Sequence, residues 1–415
     1  MTIVAVWTKK VIQDLCEITS SKRIYAANYQ SEGIPFYRGK EIIEKHKGNL
    51  EVSIKLFITK SKYHDIKKKF GVPQPGDLLL TSVGTLGVPY VIKDGEEFYF
   101  KDGNLTWFRY FKGLDNKYLF YWLLSPQGKA ELKKCTIGSS QSAFTIVLLK
   151  GMELELPPLP IQRKIGAVLS AYDDLIEINT RRIRILEQMA QTVYREWFGK
   201  VDAQSLPEGW EEVTISEIAS IHRGKSYRSS ELLDEGGLPF LNLKCVDRNG
   251  GFRQDGIKRF KGDYKDTQTA KPGDIIIGLT DMTQERRIIA RAARVPDTGE
   301  IFFIMSMDLV KLIAKSGLSQ SYLYTMLRYS SFPDEVKEYA NGVNVLHLSP
   351  QYIEDYKFYL PSKLLTDRFG EMADATYQLI DNLQKKNSNL RRTRDLLLPR
   401  LVSGEVGVDE MELAV

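Results

Sequence analysis

The chain has 415 residues, with 58 lysines and arginines against 53 aspartates and glutamates, so its formal net charge is +5. This length predicts two or more domains, each large enough for its own core. A composition of 43% apolar and 27% charged residues argues against an intrinsically disordered chain. No apolar run is long enough for a transmembrane helix, and residues 1–7 lack the basic region and cleavage site of a signal peptide. Three widely spaced cysteines form neither a disulfide framework nor a metal motif, so we expect a soluble cytoplasmic protein.

The two halves of the sequence match each other at a shift of 204 residues. At this shift Gly33 falls on Gly237, Tyr118 on Tyr322, Gly138 on Gly342 and Leu156 on Leu360. A Pro-Gly-Asp turn at 75–77 matches another at 272–274 at a shift of 197, which implies seven extra residues after this turn in the second half. Matches in the same order along both halves predict a duplication. The alternative is two unrelated domains with similar turn chemistry.

Each copy starts with short β-type runs separated by turns. Strands are predicted at 78–80 and 98–100 in the first copy and at 275–277 and 301–304 in the second, with short helices at 118–124 and 321–327. Prolines at 157–160 and at 361 mark a boundary in each copy. A long helical pattern follows each boundary.

The two long helices are predicted over residues 161–198 and over about 36 residues that end before Pro399. Apolar residues recur there at steps of four and three, the spacing of a coiled-coil seam. The predicted seam consists of Ile165, Val168, Tyr172, Leu175 and Leu186 in the first helix and Phe369, Met372, Leu379, Leu383 and Leu390 in the second. At ~1.5 Å per residue each helix would be roughly 55 Å long, which favours a rigid spacer. The alternative is two ordinary core helices of independent domains.

The predicted fold class is therefore α+β, with two similar globular α/β domains, two long antiparallel helices that form a coiled coil between them, and a pseudo-twofold internal repeat. The predicted segments are residues 1–157 (globular), 158–204 (helical), 205–361 (globular), 362–405 (helical) and an acidic tail at 406–415. Residues 1–157 carry a net charge of +7, whereas residues 205–361 carry −2. Net charge alone thus does not establish nucleic-acid binding.

No complete catalytic motif occurs in the sequence. Gly224-Lys225-Ser226 resembles the end of a phosphate-binding loop, but Ala219 occupies the place of the first required glycine. Residues 333–337 contain the letters of a nuclease metal site without the strand that separates its acids, and they predict a helix start. The four histidines lack a partner at metal-ligand spacing. We therefore expect no catalytic residue and no metal in this chain, which leaves a stand-alone enzyme as the weakest hypothesis.

Polar turns supply candidate DNA-binding residues, because Arg, Lys, Asn and Gln on loops contact phosphates and base edges. A solvated loop explains any one turn equally well, but similar loops in two duplicated domains favour a bipartite binder. The candidates are Arg38, Lys40, Lys60 and Lys62 in the first copy and Arg223, Lys225, Tyr227, Arg228, Asn242, Lys244, Thr283, Gln284, Arg286 and Arg287 in the second.

Several stretches resemble type I restriction-modification specificity subunits. Residues 156–165 (LPPLPIQRKI), 167–176 and 194–198 (YREWF) are similar to the central conserved region of that family, and residues 390–405 to its distal conserved region. Gly-Asp at 76–77 and 273–274 and Gly-Ser-Ser-Gln at 138–141 resemble its target-recognition domains. In the second copy Asn-Gly-Val-Asn at 341–344 replaces the Gly-Ser-Ser-Gln form. The resemblance covers essentially the whole chain.

The resemblance implies a non-catalytic subunit in which each target-recognition domain recognises half of a split DNA site and the helices set the spacer. It adds Ser139, Ser140, Gln141 and Asn344 to the DNA-binding candidates. It also implies two adenine-methylating (M) subunits and optional restriction (R) subunits as partners, which would carry S-adenosylmethionine, ATP and Mg²⁺. The second hypothesis is a duplicated coiled-coil scaffold without DNA recognition, for which salt-dependent DNA binding is not expected.

Overall fold

The computed structural model describes residues 7–49, 52–138, 142–199 and 205–408. The chain divides into two compact units: unit 1 is Met1–Ile178 with Asn389–Val415, and unit 2 is Asn179–Ser388. Both units mix helices and strands, so the predicted α+β class is confirmed. Within the described ranges no helix combines the length and apolar character needed to cross a membrane.

Unit 1 is built mainly from the first half of the sequence. Its strands are β1 (Thr8–Val11), β2 (Glu17–Thr19), β3 (Ile34–Tyr37), β4 (Phe57–Ile58), β5 (Leu78–Thr81), β6 (Pro89–Val91), β7 (Tyr99–Phe100), β8 (Leu105–Arg109), β9 (Thr136–Ile137), β10 (Ala143–Phe144) and β11 (Glu153–Leu156). Its short helices are α1 (Gly39–His46), α2 (Lys60–Phe70), α3 (Asn116–Leu124), α4 (Pro126–Lys134) and α5 (Ile146–Lys150), with 3₁₀ turns at Ile12–Asp14 and Ala26–Asn28. The long helix α6 (Leu159–Phe198) begins in this unit.

Unit 2 has a similar order of elements, but it has 3₁₀ turns in the region where unit 1 has α1 and α2. Its strands are β12 (Glu211–Thr214), β13 (Ala219–Arg223), β14 (Leu232–Leu233), β15 (Leu238–Leu241), β16 (Lys258–Phe260), β17 (Thr269–Ala270), β18 (Ile275–Gly278), β19 (Thr280–Asp281), β20 (Ala292–Arg294), β21 (Phe303–Met305), β22 (Leu309–Ala314), β23 (Leu346–His347) and β24 (Lys357–Leu360). Its short helices are α7 (Ile215–Ile218), α8 (Gln320–Tyr329), α9 (Phe332–Val336) and α10 (Pro350–Glu354), with 3₁₀ turns at Ser229–Glu231, Leu243–Cys245, Gln254–Gly256, Asp266–Gln268 and Lys337–Tyr339. The long helix α11 (Lys363–Val402) begins here.

The two units share one sheet topology. Unit 1 has a four-stranded antiparallel sheet of order β2-β8-β5-β6, and unit 2 has the corresponding order β13-β22-β18-β20. Leu78 lies opposite Phe108 in unit 1 as Ile275 lies opposite Leu312 in unit 2, which agrees with the shifts of 197 and 204 residues. A second sheet in each unit contains one parallel pair, β3 with β7 and β15 with β21. The duplicated sequence therefore corresponds to a duplicated topology.

Two turn motifs occur in both units, and each makes the same backbone contact in both. Gly33 and Gly237 both have positive φ, and a Cβ at either position would lie 2.5 Å from a backbone carbonyl oxygen of the neighbouring strand. Only glycine allows this close approach without a shift of the backbone. In the Pro-Gly-Asp turns, the carboxylates of Asp77 and Asp274 accept the N–H of the residue three positions earlier, at 2.9 and 2.8 Å.

The core of each unit lies between its four-stranded sheet and its helices. In unit 1, strand residues such as Leu78 and Phe108 pack with α3 and with buried residues of both long helices, including Ile165 and Leu401. In unit 2, Ile275 and its neighbours pack in the same way against α8 and the long helices. The long helices are therefore integral to both cores.

Most predicted elements are confirmed, with shifted ends. The predictions at 78–80, 275–277, 118–124 and 321–327 fall in β5, β18, α3 and α8. The predicted strand at 301–304 starts only at Phe303, because β17 and β15 supply pairing partners from Phe303 and Ile304 onwards. The prediction that the second long helix ends before Pro399 is wrong, since α11 continues to Val402. Proline removes only the bond to the Asp395 carbonyl, and the N–H of Ser403 still reaches the Pro399 carbonyl at 3.0 Å.

The buried face of the long helices differs from the predicted seam. Ile165, Val168, Phe369 and Leu383 are buried, and Tyr172, Leu186, Met372 and Leu390 are partly buried. Leu175 and Leu379 are 48% and 47% exposed, so their placement in a buried seam is corrected. Asn179, Ala190, Ala373 and Ile380 are buried instead. Each helix packs against sheet and helices of a globular core, so its buried stripe is wider than the narrow stripe of an isolated coiled coil.

Candidate nucleic-acid interface

In unit 2 the connections between several strands meet at one edge of the four-stranded sheet. Arg223 at the end of β13 lies opposite Val310 near the start of β22, and Val310 lies opposite Ile277 near the end of β18. Antiparallel neighbours bring the loops after β13 and β18 to the same edge as the loop before β22. We call this surface the loop edge of unit 2. It consists of residues 223–228, 242–244, 279–288, 305–309 and 341–347.

Backbone hydrogen bonds join these five segments. The N–H of Lys225 donates to the Met305 carbonyl at 2.8 Å, and the N–H of Ser306 donates to the Leu241 carbonyl at 2.9 Å. Strand β19 pairs with β23, which places residues 279–288 beside residues 341–347. The loop edge is therefore a connected surface.

A buried carboxylate shapes the loop that follows β18. Asp281 is only 4% exposed, and its Oδ1 accepts the N–H and the hydroxyl of Thr283 at 2.8 and 2.9 Å. Its Oδ2 accepts the N–H of Ile288 at 3.0 Å. Burial disfavours the charged form, but these hydrogen bonds outweigh burial and lower the pKa of Asp281 below its ordinary value. Thr283, a predicted DNA ligand, thus also serves to fold the loop.

Two further candidates hold the neighbouring loops together. Gln284 Nε2 donates to the Val343 carbonyl at 2.9 Å, so the loops after β18 and before β23 are fixed side by side. Arg286 has a left-handed backbone, with φ +51, and its guanidinium forms an ion pair with Glu338. A non-glycine residue adopts this conformation only where surrounding contacts stabilise it.

The side chains that remain exposed between these contacts are of mixed chemistry. Thr283, Arg287 and Asn344 are exposed, and Arg287 Nε lies 2.5 Å from Glu285, which is also exposed. Met282 and Val343, absent from the predicted DNA ligands, are 81% and 87% exposed. The signal that could have found them is an apolar residue within an otherwise polar loop.

The segment 223–228 contains both exposed and enclosed candidates. Arg223 and Arg228 are exposed, and Arg223 Nε donates to the Met307 carbonyl at 3.0 Å. Lys225 is only 14% exposed, lies 4.8 Å from the centre of the Phe260 ring and is 3.5 Å from Glu231. The ring of Tyr227 packs edge-on against Phe240 at 4.8 Å between centres. Lys225 and Tyr227 therefore stabilise unit 2.

Equivalent positions after β15 and β3 carry Asn242 and Arg38. Asn242 caps a 3₁₀ turn by accepting the N–H of Lys244 at 2.9 Å, and its amide donates to the Gly256 carbonyl at 2.8 Å. Arg38 is the N-cap residue of α1, and both its backbone N–H and its guanidinium donate at 2.8 Å to Glu41, which is 2% exposed. Lys244 is exposed, whereas the polar groups of Asn242 and Arg38 form hydrogen bonds within the protein.

The remaining candidates of unit 1 lie on helices or outside the described residues. Lys40 is exposed on α1 and lies 3.5 Å from Glu44. Lys60 and Lys62 were predicted on a turn but belong to the first turn of α2, because Thr59 caps that helix by accepting the N–H of Lys62 at 3.2 Å. Ser139, Ser140 and Gln141 lie outside the described residues.

The residues that flank 139–141 repeat the arrangement seen in unit 2. Val83 bridges to Ala143 as Thr280 pairs with His347, which again agrees with the shifts of 197 and 204. Gly138 and Gly342 both have positive φ. The described residues on either side of 139–141 thus match their counterparts in unit 2 in strand pairing and in the positive φ of the glycine.

The described residues contain no group of three or more His, Cys, Asp or Glu side chains placed to hold a metal ion. Cys16, Cys135 and Cys245 are buried free thiols. Burial raises the pKa of Cys16 and Cys245 to about 12, which makes both thiols poor nucleophiles at neutral pH.

The long helices meet the globular cores through equivalent contacts. A Cβ on Gly166 would lie 3.2 Å from the Asp115 carboxylate, and one on Gly370 would lie 2.7 Å from the Ser319 Cβ. Asp115 caps α3, and Ser319, 204 residues later, caps α8. In both units a glycine lets a long helix approach the N-terminus of a shorter one.

Polar contacts between long-helix segments occur within each unit. In unit 1, Asp173 forms an ion pair with Arg394. In unit 2, the amide of the buried Asn179 donates to Asn387 Oδ1 at 2.9 Å, and the rings of Tyr194 and Phe369 lie 5.8 Å apart. These two contacts show that segments 179–198 and 363–388 run antiparallel in unit 2.

Comparison with known proteins identifies the family. The profile of the type I restriction modification DNA specificity domain matches residues 6–188 and again residues 207–389. The type I restriction enzyme MjaIX specificity subunit of Methanocaldococcus jannaschii is 24% identical over 98% of this chain and 94% of its own length. A putative type I restriction enzyme specificity subunit of Haemophilus influenzae is 29% identical over 45% of this chain and 46% of its own length.

Among solved structures, the type I restriction-modification S subunit from M. genitalium has a similar fold, with a TM-score of 0.55 at 18% identity and 97% coverage of both chains. With its repeated topology and two profile matches, the chain belongs to the family of type I restriction-modification DNA specificity domains, of which it carries two copies.

Proposed function

We propose that this chain is the DNA specificity subunit of a type I restriction-modification complex and that each of its two globular parts recognises one half of a split double-stranded site. The proposed recognition domains are residues 1–157 and 205–361, and the helical regions are residues 158–204 and 362–405. The observation that carries the proposal is the duplication itself. Two domains with matching sheet topology suit a site with two separate halves.

The charge of the loop edge supports DNA as the ligand. Its five segments contain six Arg and Lys residues and three Asp and Glu residues, although residues 205–361 as a whole carry a net charge of −2. Positive charge is therefore concentrated where the strand-end loops meet. Such a patch attracts phosphates and steers a duplex to the loops.

We further propose that α6 and α11 pair as an antiparallel coiled coil along their lengths, under pseudo-twofold symmetry, and so fix the spacer between the half-sites. The antiparallel contacts of Asn179 with Asn387 and of Tyr194 with Phe369 support this pairing. Each helix has 40 residues, which at ~1.5 Å per residue exceeds the ~34 Å helical turn of DNA.

The helical regions are also the proposed docking sites for two M subunits. Helix α6 exposes Leu175 and Ile178 in unit 1 and Ile185 and Met189 in unit 2, each 46–56% exposed. Apolar residues at these three-, four- and seven-residue spacings suit a partner helix. In this proposal catalysis, S-adenosylmethionine, ATP and Mg²⁺ belong to the M subunits and optional R subunits.

Selection from a random pool of DNA duplexes tests the proposed function. The full chain, co-expressed with M subunits, is expected to enrich sites with two defined blocks separated by a fixed number of undefined base pairs. Its affinity for such a site should fall steeply with salt, because bound phosphates release counterions. A single continuous block would contradict recognition by two domains. Binding without sequence preference or salt dependence would favour the scaffold alternative.

A further inference from the structure

The loop edge of unit 2 exposes two apolar side chains on adjacent loops. Met282 is 81% exposed and Val343 is 87% exposed, and among the large apolar residues described Ile301, at 83%, and Val147, at 79%, are comparably exposed. A single exposed apolar residue is ordinary on a protein surface. Two on neighbouring loops, in a region already proposed to contact DNA, form a potential recognition element.

Hydrogen bonds within unit 2 fix the backbone of the loops that carry these side chains. Asp281 binds the backbone of the first loop, and the hydrogen bond from Gln284 to the Val343 carbonyl ties the first loop to the second. Gly342 has φ +145, and any Cβ there would lie 2.0 Å from the Val345 carbonyl oxygen, so the second turn is tight. Met282 and Val343 are thus presented on a preorganised backbone, which reduces the entropy lost on binding.

The loop edge that carries this apolar pair also carries exposed cationic side chains. Arg223, Arg228, Lys244 and Arg287 are exposed on the same loop edge. Arginine and lysine at such positions hold phosphates and orient a duplex. The apolar side chains would then meet the base edges, where the one apolar group of the major groove is the 5-methyl group of thymine.

We propose that Met282 and Val343 contact thymine 5-methyl groups in the half-site recognised by unit 2. This inference rests on the proposed function and adds the chemical feature that this half-site must contain. It also divides the loop between two roles. Asp281, Gln284 and Arg286 fix the loops, whereas Met282 and Val343 discriminate thymine from cytosine and from uracil.

Single thymine replacements test the inference. In a duplex enriched by the full chain with its M subunits, each thymine is replaced in turn by deoxyuridine, which lacks only the 5-methyl group. The wild-type protein should lose about four-fold in affinity at one or two positions of one half-site, the loss expected for one methyl contact. Met282→Ala and Val343→Ala should bind thymine and uracil duplexes more nearly alike.

Ile301→Ala provides a matched control. Ile301 is about as exposed as Met282 and Val343, but it precedes β21, whereas the loop-edge segment 305–309 lies at the other end of that strand. Ile301→Ala should therefore keep the wild-type sensitivity to deoxyuridine. Unchanged melting temperatures would show that the three variants remain folded.

Three results would overturn the inference. Sequence-selective binding that no thymine replacement weakens would refute methyl recognition and leave the proposed function standing. A loss of affinity in Met282→Ala and Val343→Ala that is equal on thymine and uracil duplexes would show contact with DNA without methyl recognition. Failure to enrich any duplex would refute both the inference and the proposed function.

Discussion

Five cationic residues suggested by the sequence as DNA ligands are paired with acidic neighbours of their own unit, among them Lys40 with Glu44 and Arg287 with Glu285. Arg38 pairs with Glu41, Lys225 with Glu231 and Arg286 with Glu338. Each pair stabilises a loop or a helix start, and DNA could use the cation only by breaking an existing contact. Exposed cations such as Arg223, Arg228 and Lys244 are therefore the better candidates for phosphate contacts in unit 2.

Replacement of Arg228 tests this distinction. If Arg228 contacts a phosphate, Arg228→Gln should reduce the slope of log affinity against log salt by about one and should weaken binding to all sequences alike. Lys357→Gln is the control, because Lys357 is 65% exposed on β24, outside the loop edge. Fluorescence anisotropy over a series of salt concentrations measures both slopes. An equal change in the two variants would contradict a role of the loop edge.

Asp77 predicts a pH dependence of stability in unit 1. Burial raises the pKa of Asp77 despite its hydrogen bonds from Gln74 and Trp107, so the folded state holds this proton to a higher pH than the unfolded chain. The free energy of unfolding should therefore fall as pH rises from the ordinary aspartate pKa of ~3.9 through the raised value. Asp77→Asn keeps an acceptor oxygen but cannot ionise, so it should be more stable than wild type at pH 7 and lose that advantage below pH 4.

Chemical unfolding of wild type and Asp77→Asn at several pH values measures this difference. The opposite result would be that Asp77→Asn is less stable than wild type and that this deficit is larger at pH 7 than at pH 3. That result would show that the ionised carboxylate stabilises the turn, contrary to the expected sign.

At the scale of elements, two glycines in the long helices are explained by neighbouring helix ends. Glycine inside a helix usually costs ~1 kcal/mol relative to alanine. Gly166 and Gly370 are nevertheless suited to their sites, because each lies against the capped N-terminus of α3 or α8. The separation of 204 residues between these two glycines was visible in the sequence, but the contact that requires glycine was not.

Gly370→Ala should therefore destabilise the protein despite the better helix propensity of alanine. The new Cβ would lie 2.7 Å from the Ser319 Cβ, and an overpacked contact of this kind costs roughly 1–3 kcal/mol. Asn382→Ala is the control, because Asn382 is exposed on the same helix and its replacement should be neutral or slightly stabilising. A thermal unfolding temperature for Gly370→Ala at or above that of wild type would refute the packing argument.

The elements were more predictable than the faces that they bury. Period, proline and repeat patterns located β5, β18, α3, α8 and both long helices, because local sequence determines these features. The exposure of Leu175 and Leu379 was missed, because it depends on how the globular cores cover the helices. For the same reason, polar loop residues could be listed, but the internal partners of Asn242 and Arg38 could not be foreseen. Polar turns in the sequence did not indicate Met282 and Val343, because both side chains are apolar.

In the whole molecule, different parts of each repeat are proposed to determine the sequence of the half-sites and the spacing between them. The globular domains are proposed to select bases, and the long helices to set the distance between the selected blocks. Lengthening α6 by four residues adds ~6 Å, which corresponds to about two base pairs. Methylated sites in a host that carries this variant should keep both half-site sequences and change only the preferred spacer. Altered half-site sequences would contradict a separate spacer role.

Each domain is proposed to recognise its own half of a split site. Exchange of residues 1–150 for the corresponding residues of another family member, followed by mapping of methylated adenines across the host genome, tests this claim most directly. If each domain recognises its own half-site, one half-site changes to that of the donor protein while the other half-site and the spacer remain as in wild type. An unchanged pattern, or a simultaneous change in both half-sites, would contradict it.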